Sequence, residues 1–285
     1  MDFTGERFIP SEDVEEKLIY EHYHRYEYVA DFVKGKKVLD IASGEGFGSE
    51  ILSRTASSVI GIDIDKETVD YAKDKYKDNS KIQFQCGSVT SIPLEDKSVD
   101  VIVSFETIEH ISEHNEMLDE FKRVLKKDGL VIISTPDKKV YTDESGEVNK
   151  FHVKELYKQE FLDVLQLYFK NIKACGQRFL TLSSIIPFSK IAQEKVILGD
   201  LNEKNSVYII AICSDSDISD IRLFDSLYYD ESYDIYAKDK AMLRWASSVH
   251  QELMKSQRDY FRLEAEFNAY KTSIESKKNN NTDGE

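Results

Sequence analysis

Cysteine is scarce in this chain. Cys86, Cys175 and Cys213 are odd in number, widely spaced and set in apolar or strand-like stretches. That argues against a disulfide framework or a thiolate metal cage, and fits reduced packing residues in a cytoplasmic protein. Long apolar runs are missing too: none approaches the roughly 18 residues of a membrane span. The first residues, MDFTGERFIPSEDVEE, lack the basic, apolar and small-residue progression of a secretory signal. Positive charge is also short. Lys and Arg number 38 against 53 Asp and Glu, a formal net charge of −15. That is the wrong sign for binding nucleic acid by phosphate neutralisation. The 285 residues, 41% hydrophobic, suffice for one large domain with an appendage, or for two small ones.

Strands and helices alternate through the first two thirds. Residues 12–34 carry Leu18, Ile19, Tyr23, Tyr26, Val29 and Phe32 at helical spacing. Apolar runs predict strands near 37–41, 58–62, 81–85, 99–104 and 129–134. Helical patterns fall near 47–55, 66–76 and 113–126. This alternation predicts a mostly parallel doubly wound α/β sheet. A helix near 153–167 and strands near 170–178 and 206–213 complete the domain, expected to span 1–214. Residues 181–200 are expected to form a flap or helical insertion.

The turn after the first strand is rich in glycine. Val38, Leu39 and Ile41 run into Gly44-Glu45-Gly46-Phe47-Gly48, and the next strand ends in Asp63. Alternate glycines let a ligand lie against the main chain. A carboxylate about twenty residues past the first glycine can accept two hydrogen bonds from a ribose. The G-x-G-x-G spacing differs from the dinucleotide fingerprint, and no Lys-Ser/Thr follows to make a phosphate loop. Together with Asp40 before the turn, this pattern resembles class I S-adenosylmethionine-dependent methyltransferases. The resemblance implies a seven-stranded Rossmann-like sheet that finishes with an antiparallel pair. It also implies that Gly44 and Gly46 lie against the methionine part and that Asp63 holds the ribose. Asp40, Ser43, Ile64, Ser88, Val89 and Ser104 are implied as further cofactor contacts. The chain departs from the pattern at Ser43, where cysteine is common, and in Cys86-Gly87-Ser88-Val89, which lacks an acid. Arg25, on the first helix, is a candidate partner for the methionine carboxylate or an anionic substrate.

The segment DVIVSFETIEHI, residues 100–111, concentrates chemistry at a strand end. If Glu106 opens a helical turn, then Glu106, Glu109 and His110 share one face. His152, farther on, then completes an N2O2 set suited to one divalent cation such as Mg or Mn. The set resembles the metal site of methyltransferases that modify the 2′-hydroxyl at the 3′ end of small RNAs. Without metal, His110, with Glu109 beside it, is the candidate base, because imidazole titrates near about 6.5. The segments FTGERFIP, EHYHRYEYVADF, SFETIEHI, STPDKKVY and NKFHVKELYKQEF together resemble bacterial methyltransferases associated with surface-polysaccharide and glycan assembly. That resemblance implies O-methylation of a sugar in a glycan precursor or sugar nucleotide. Ribose methylation of RNA and a cofactor-binding scaffold for glycan-assembly enzymes are the alternatives.

Beyond residue 214 the composition changes. Residues 215–237 are acidic and tyrosine-rich and predict a linker. Residues 238–276 contain no Gly or Pro. Ala246, Val249, Leu253, Ser256, Tyr260, Leu263, Phe267, Tyr270 and Ile274 step by threes and fours, which predicts a coiled-coil helix. It is expected to pair with a second copy or with a glycan-assembly partner. Residues 277–285 are expected to be disordered.

Overall fold

In the computed structural model the described residues are 16–146, 148–179 and 206–226, with single helical positions between 252 and 267. The chain divides into two compact units, 1–228 and 229–285. The first unit opens with α1 (Glu16–Val29), β1 (Lys37–Ile41), α2 (Phe47–Ser53), β2 (Ser58–Asp63), α3 (Lys66–Lys75) and β3 (Ile82–Cys86). It continues with β4 (Val99–Ser104), a 3₁₀ turn (Ile108–His110), α4 (His114–Val124) and β5 (Leu125–Pro136). A π-helical segment (Lys139–Glu144), α5 (Lys158–Tyr168), β6 (Asn171–Gln177) and β7 (Tyr208–Ser214) follow. The strands form one seven-stranded sheet in the order β3-β2-β1-β4-β5-β7-β6. β7 runs antiparallel to β5 and β6, and the other pairings are parallel.

Both sheet faces are apolar because the strands alternate between two buried layers. Leu39, Ile60, Ile102, Ile133 and Ala211 pack with Met117, Phe121 and Phe161 of α4 and α5. Their neighbours Val38, Val59, Val101, Ile132 and Ile210 pack on the other face with Tyr26, Val29, Ile51 and Leu52 of α1 and α2. The covering helices leave the carboxyl ends of β1, β2 and β4 as the edge where loops converge, the usual ligand edge of such sheets.

Four regions differ from expectation. Residues 215–226 do not leave the domain as a linker. Ile218 is buried, Ile221 and Leu223 join the α1–α2 layer, and Phe224 packs at a tilt against Tyr28. α5 begins at Lys158, because residues 149–155 are committed to loop hydrogen bonds instead. The π-helical segment had no counterpart in the sequence reading. Glu106 opens no helical turn, as shown below. The flap expected over 181–200 and the tail over 277–285 lie outside the described residues, as does most of the 238–276 helix. Positions 252, 254–258, 260, 262–264 and 267 are helical, with Met254, Tyr260, Leu263 and Phe267 exposed. No helix among the described residues is long and apolar enough to cross a membrane.

Candidate active site

The turn after β1 runs through three left-handed residues, Ala42 (φ 60°), Gly44 (φ 52°) and Gly46 (φ 82°). Nothing lies within 4 Å of where a Gly44 side chain would point. The space above the turn is therefore open to a ligand, and glycine supplies the conformation without steric cost. Gly46 caps the N-terminus of α2. Asp63, at the end of β2, straps the turn: Oδ2 accepts from the Gly44 amide at 2.9 Å and Oδ1 from the Asp65 amide at 3.0 Å. A carboxylate at the end of the strand beside the glycine turn stands where a ribose-binding acid is expected. Ile64 beside it is 69% exposed, an apolar side chain at the rim where a flat base can rest. Ser43 and Ser104, at the ends of β1 and β4, are buried with hydroxyls that have no partner. Buried hydroxyls normally find one, and a polar ligand between the two central strands would supply it. Turn, strap and orphaned hydroxyls fit a nucleoside with a polar tail.

Other expected cofactor contacts are placed differently. Asp40 is fully buried and accepts from Ser49 Oγ at 2.6 Å and from the Tyr26 hydroxyl at 3.1 Å. It faces α1 and α2, as its alternation with Leu39 requires, and burial pushes its pKa up to about 7. Ser88 pairs with Thr90, and Val89 packs against the α4–α5 layer. Arg25 is turned toward β6 and β7. It donates to Gln177 Oε1 at 2.7 Å, and its guanidinium lies 4.6 Å from the centre of the Tyr208 ring.

The second constellation separates into two parts. Glu109 and His110 lie in the 3₁₀ turn after β4, and His152 comes over them from the loop before α5. One ligand atom of each lies within 4.8 Å of the others. Glu109 is 1% exposed; Oε2 accepts from Thr135 Oγ1 at 3.2 Å, and Oε1 is buried without a hydrogen bond, 3.9 Å from His110 Nε2. Burial first, then the charge of Glu106, raises the Glu109 pKa well above the carboxylate range. Glu106 is not in the cluster. Its left-handed backbone (φ 49°) turns the side chain to Ser134 Oγ, which donates to Oε1 at 2.6 Å.

Both imidazoles are oriented from behind. His110 Nδ1 lies 3.1 Å from the Phe151 carbonyl. A carbonyl only accepts, so Nδ1 carries the proton and Nε2 the lone pair. His152 Nδ1 bonds Glu155 Oε1 at 2.5 Å, and its Nε2 accepts from Asn149 Nδ2 at 3.0 Å. The Glu109 carbonyl accepts the Val153 and Lys154 amides at 2.8 and 3.0 Å, which clamps the loop to the turn. Ser134, Thr135, Asn149 and Glu155 lie in stretches that the sequence singles out, but their roles are not legible there. Each acts by bonding another site residue, and nothing in its local pattern announces that.

Comparison with known proteins agrees with this geometry. Residues 39–133 match the family model described as a methyltransferase domain. Residues 39–133 thus resemble a methyltransferase domain, and the seven-stranded, mostly parallel sheet is the Rossmann-like methyltransferase fold. A Mycobacterium tuberculosis protein named "Probable S-adenosylmethionine-dependent methyltransferase" is 31% identical over 175 residues, 61% of this chain and 63% of its own length. A Mycolicibacterium smegmatis protein of similar name is 33% identical over 164 residues, again 63% of its length. The chain thus spans less than two thirds of these curated relatives. A Pelagibacter ubique ubiquinone biosynthesis O-methyltransferase is 36% identical over 107 residues, 37% of this chain and 44% of its own. Among solved structures, a Thermotoga maritima S-adenosylmethionine-dependent methyltransferase superposes with a TM-score of 0.53 at 16% identity, covering 70% of this chain and 91% of its own. That last likeness concerns the fold.

Proposed function

We propose that this methyltransferase domain transfers a methyl group from S-adenosylmethionine to a hydroxyl, and that the hydroxyl belongs to a sugar of a glycan precursor or sugar nucleotide. The observation that carries the O-methylation reading is His110 Nε2, held as a lone-pair acceptor beside the buried Glu109 carboxyl at the end of β4. Bound S-adenosylmethionine supplies an electrophilic methyl on a sulfonium. The acceptor oxygen forms the new C–O bond as the C–S bond breaks, and its proton passes to His110 Nε2. A neutral hydroxyl is a weak nucleophile at pH 7, so this proton transfer is where the chain's own residues assist. The Phe151 carbonyl then stabilises the imidazolium through Nδ1–H.

One divalent cation at the same place is a second form of this reading. Two imidazole nitrogens with Nδ1 hydrogens fixed by oxygen acceptors, plus an orphaned carboxylate oxygen, make a fitting donor set. His110, His152 and Glu109 would hold the ion, and the Asn149 amide would have to turn away from His152 Nε2. A cation there would acidify the hydroxyl directly. His110 would then be a ligand and could not also be the base.

The ubiquinone-pathway names among the relatives favour a second acceptor class, a hydroxylated ring. Labelled methyl transfer to a panel of sugar nucleotides, lipid-linked glycans and catechols, with and without chelator, tests these readings. An O-methyl product formed equally in chelator supports the His110 base. Activity that chelator abolishes and Mg or Mn restores supports the cation. Methyl groups only on nitrogen or carbon would overturn O-methylation.

A further inference from the structure

Among the described residues Arg25 is the largest fully buried side chain, and a cation in such a place needs a reason. Its side chain has 0% exposure, and Nε and one terminal nitrogen have no hydrogen-bond partner. Among the described residues its one hydrogen bond goes to Gln177, whose amide donates at 2.8 Å to the Glu21 carbonyl. Tyr208, beneath the guanidinium, donates to Glu21 Oε2 at 3.1 Å. The same Arg25 nitrogen lies 3.9 Å from Glu106 Oε1. A connected set from α1, β6 and β7 therefore ends on one carboxylate at the tip of β4.

Glu106 is unlike the rest of that set. Its side chain retains 13% exposure, where Arg25 has none. Its backbone is left-handed, a conformation that costs a non-glycine residue energy and concentrates at functional sites. The Ser134 hydroxyl grips it twice, accepting from the Glu106 amide at 3.3 Å and donating to Oε1 at 2.6 Å. Oε1 is thus committed from behind, by Ser134 and by the Arg25 charge. Oε2 makes no hydrogen bond among the described residues. An anchored carboxylate with one oxygen unused, just past the carboxyl end of β4, accepts hydrogen bonds. It repels anions.

We propose that Glu106 grips a second hydroxyl of the acceptor, adjacent to the one that is methylated, and that Arg25 is the positioning residue that holds Glu106 in place. The acceptor class is a vicinal diol, aromatic or aliphatic, without a negative charge at the diol. This rests on the O-methylation reading above and deepens it. It requires no metal: the diol is recognised by a carboxylate that stands outside the Glu109–His110–His152 group.

The test is calorimetric, on the full-length protein saturated with S-adenosylhomocysteine, with chelator present so that no cation can select the diol. Catechol and phenol are the probes. Wild type should bind catechol at least about tenfold more tightly than phenol, the scale of one hydrogen bond to a charged acceptor. In Glu106→Gln the preference should fall to about twofold or less, with phenol and S-adenosylhomocysteine affinities unchanged. Ser134→Ala and Arg25→Gln should erode the same preference, and Arg25→Lys should retain part of it. Should Arg25→Gln fail to fold, Glu106→Gln and Ser134→Ala still decide. Equal binding of the two probes by wild type, no binding of catechol, or a preference that survives Glu106→Gln would overturn the proposal. Loss of S-adenosylhomocysteine binding by wild type is a different failure: it would remove the methyltransferase reading beneath.

Discussion

Asp40 is a charge placed where charge is expensive. It ties β1 to α1 through Tyr26 and to α2 through Ser49, and burial lifts its pKa from the ordinary 3.8 to about 7. A carboxyl whose folded pKa is raised binds its proton more tightly in the folded state. Its own contribution to stability is therefore greatest below about pH 4, falls as pH rises toward 7, and is flat above. A rise to about 7 corresponds to a loss on the order of 4 kcal/mol from this group. Asp40→Asn should abolish this slope, so denaturant melts between pH 4 and 8 should show wild type losing stability relative to the variant. Parallel curves would show that Asp40 ionises freely. Asp40 thus supports the glycine turn from beneath, and Asp63 straps it from the neighbouring strand.

At the scale of elements, α2 sits against α1 because residue 48 has no side chain. A methyl there would lie 2.0 Å from the Tyr26 ring. That ring cannot step aside, since it packs against Phe47 and Phe105 and its hydroxyl holds Asp40. Gly48→Ala should gain about 0.5–1 kcal/mol in helix propensity and lose about 1–3 to overpacking. A net loss of stability in chemical denaturation is expected, and a stabilised variant would contradict this packing. β1 and β4 were legible to the residue, and β2 and β3 to within one, because buried parallel strands are short apolar runs between turns. β5 starts earlier than its apolar run, at Leu125, because Lys126, Lys127 and Asp128 mask its onset and a register shift separates Val99 from Val101. The π-helical segment has no apolar repeat to betray it. In the candidate site, the gathering of Gly44, Asp63, Glu109 and His110 at the carboxyl ends of the strands was readable from spacing. The divergence of Glu106 was not, because a left-handed turn at a glutamate leaves no mark in sequence.

On the whole-molecule scale the chain combines a catalytic-type sheet domain with a separate C-terminal unit and a net charge of −15. Tyr260, Leu263 and Phe267 are exposed at helical positions of that unit. Large apolar groups at a and d spacing favour burial against another helix. Self-pairing through this stripe is our proposal. Sedimentation of the full chain should show a concentration-dependent oligomer that Leu263→Glu with Phe267→Glu dissociates; a monomer at all concentrations would contradict it. The central claim is narrower: methyl transfer depends on His110 while cofactor binding does not. It is tested by His110→Ala, assayed for labelled methyl transfer and for calorimetric affinity toward S-adenosylmethionine in the same preparation. Turnover should fall about 10²–10⁴-fold with cofactor affinity within about twofold of wild type. Undiminished turnover, or loss of cofactor affinity in step with turnover, would contradict the account.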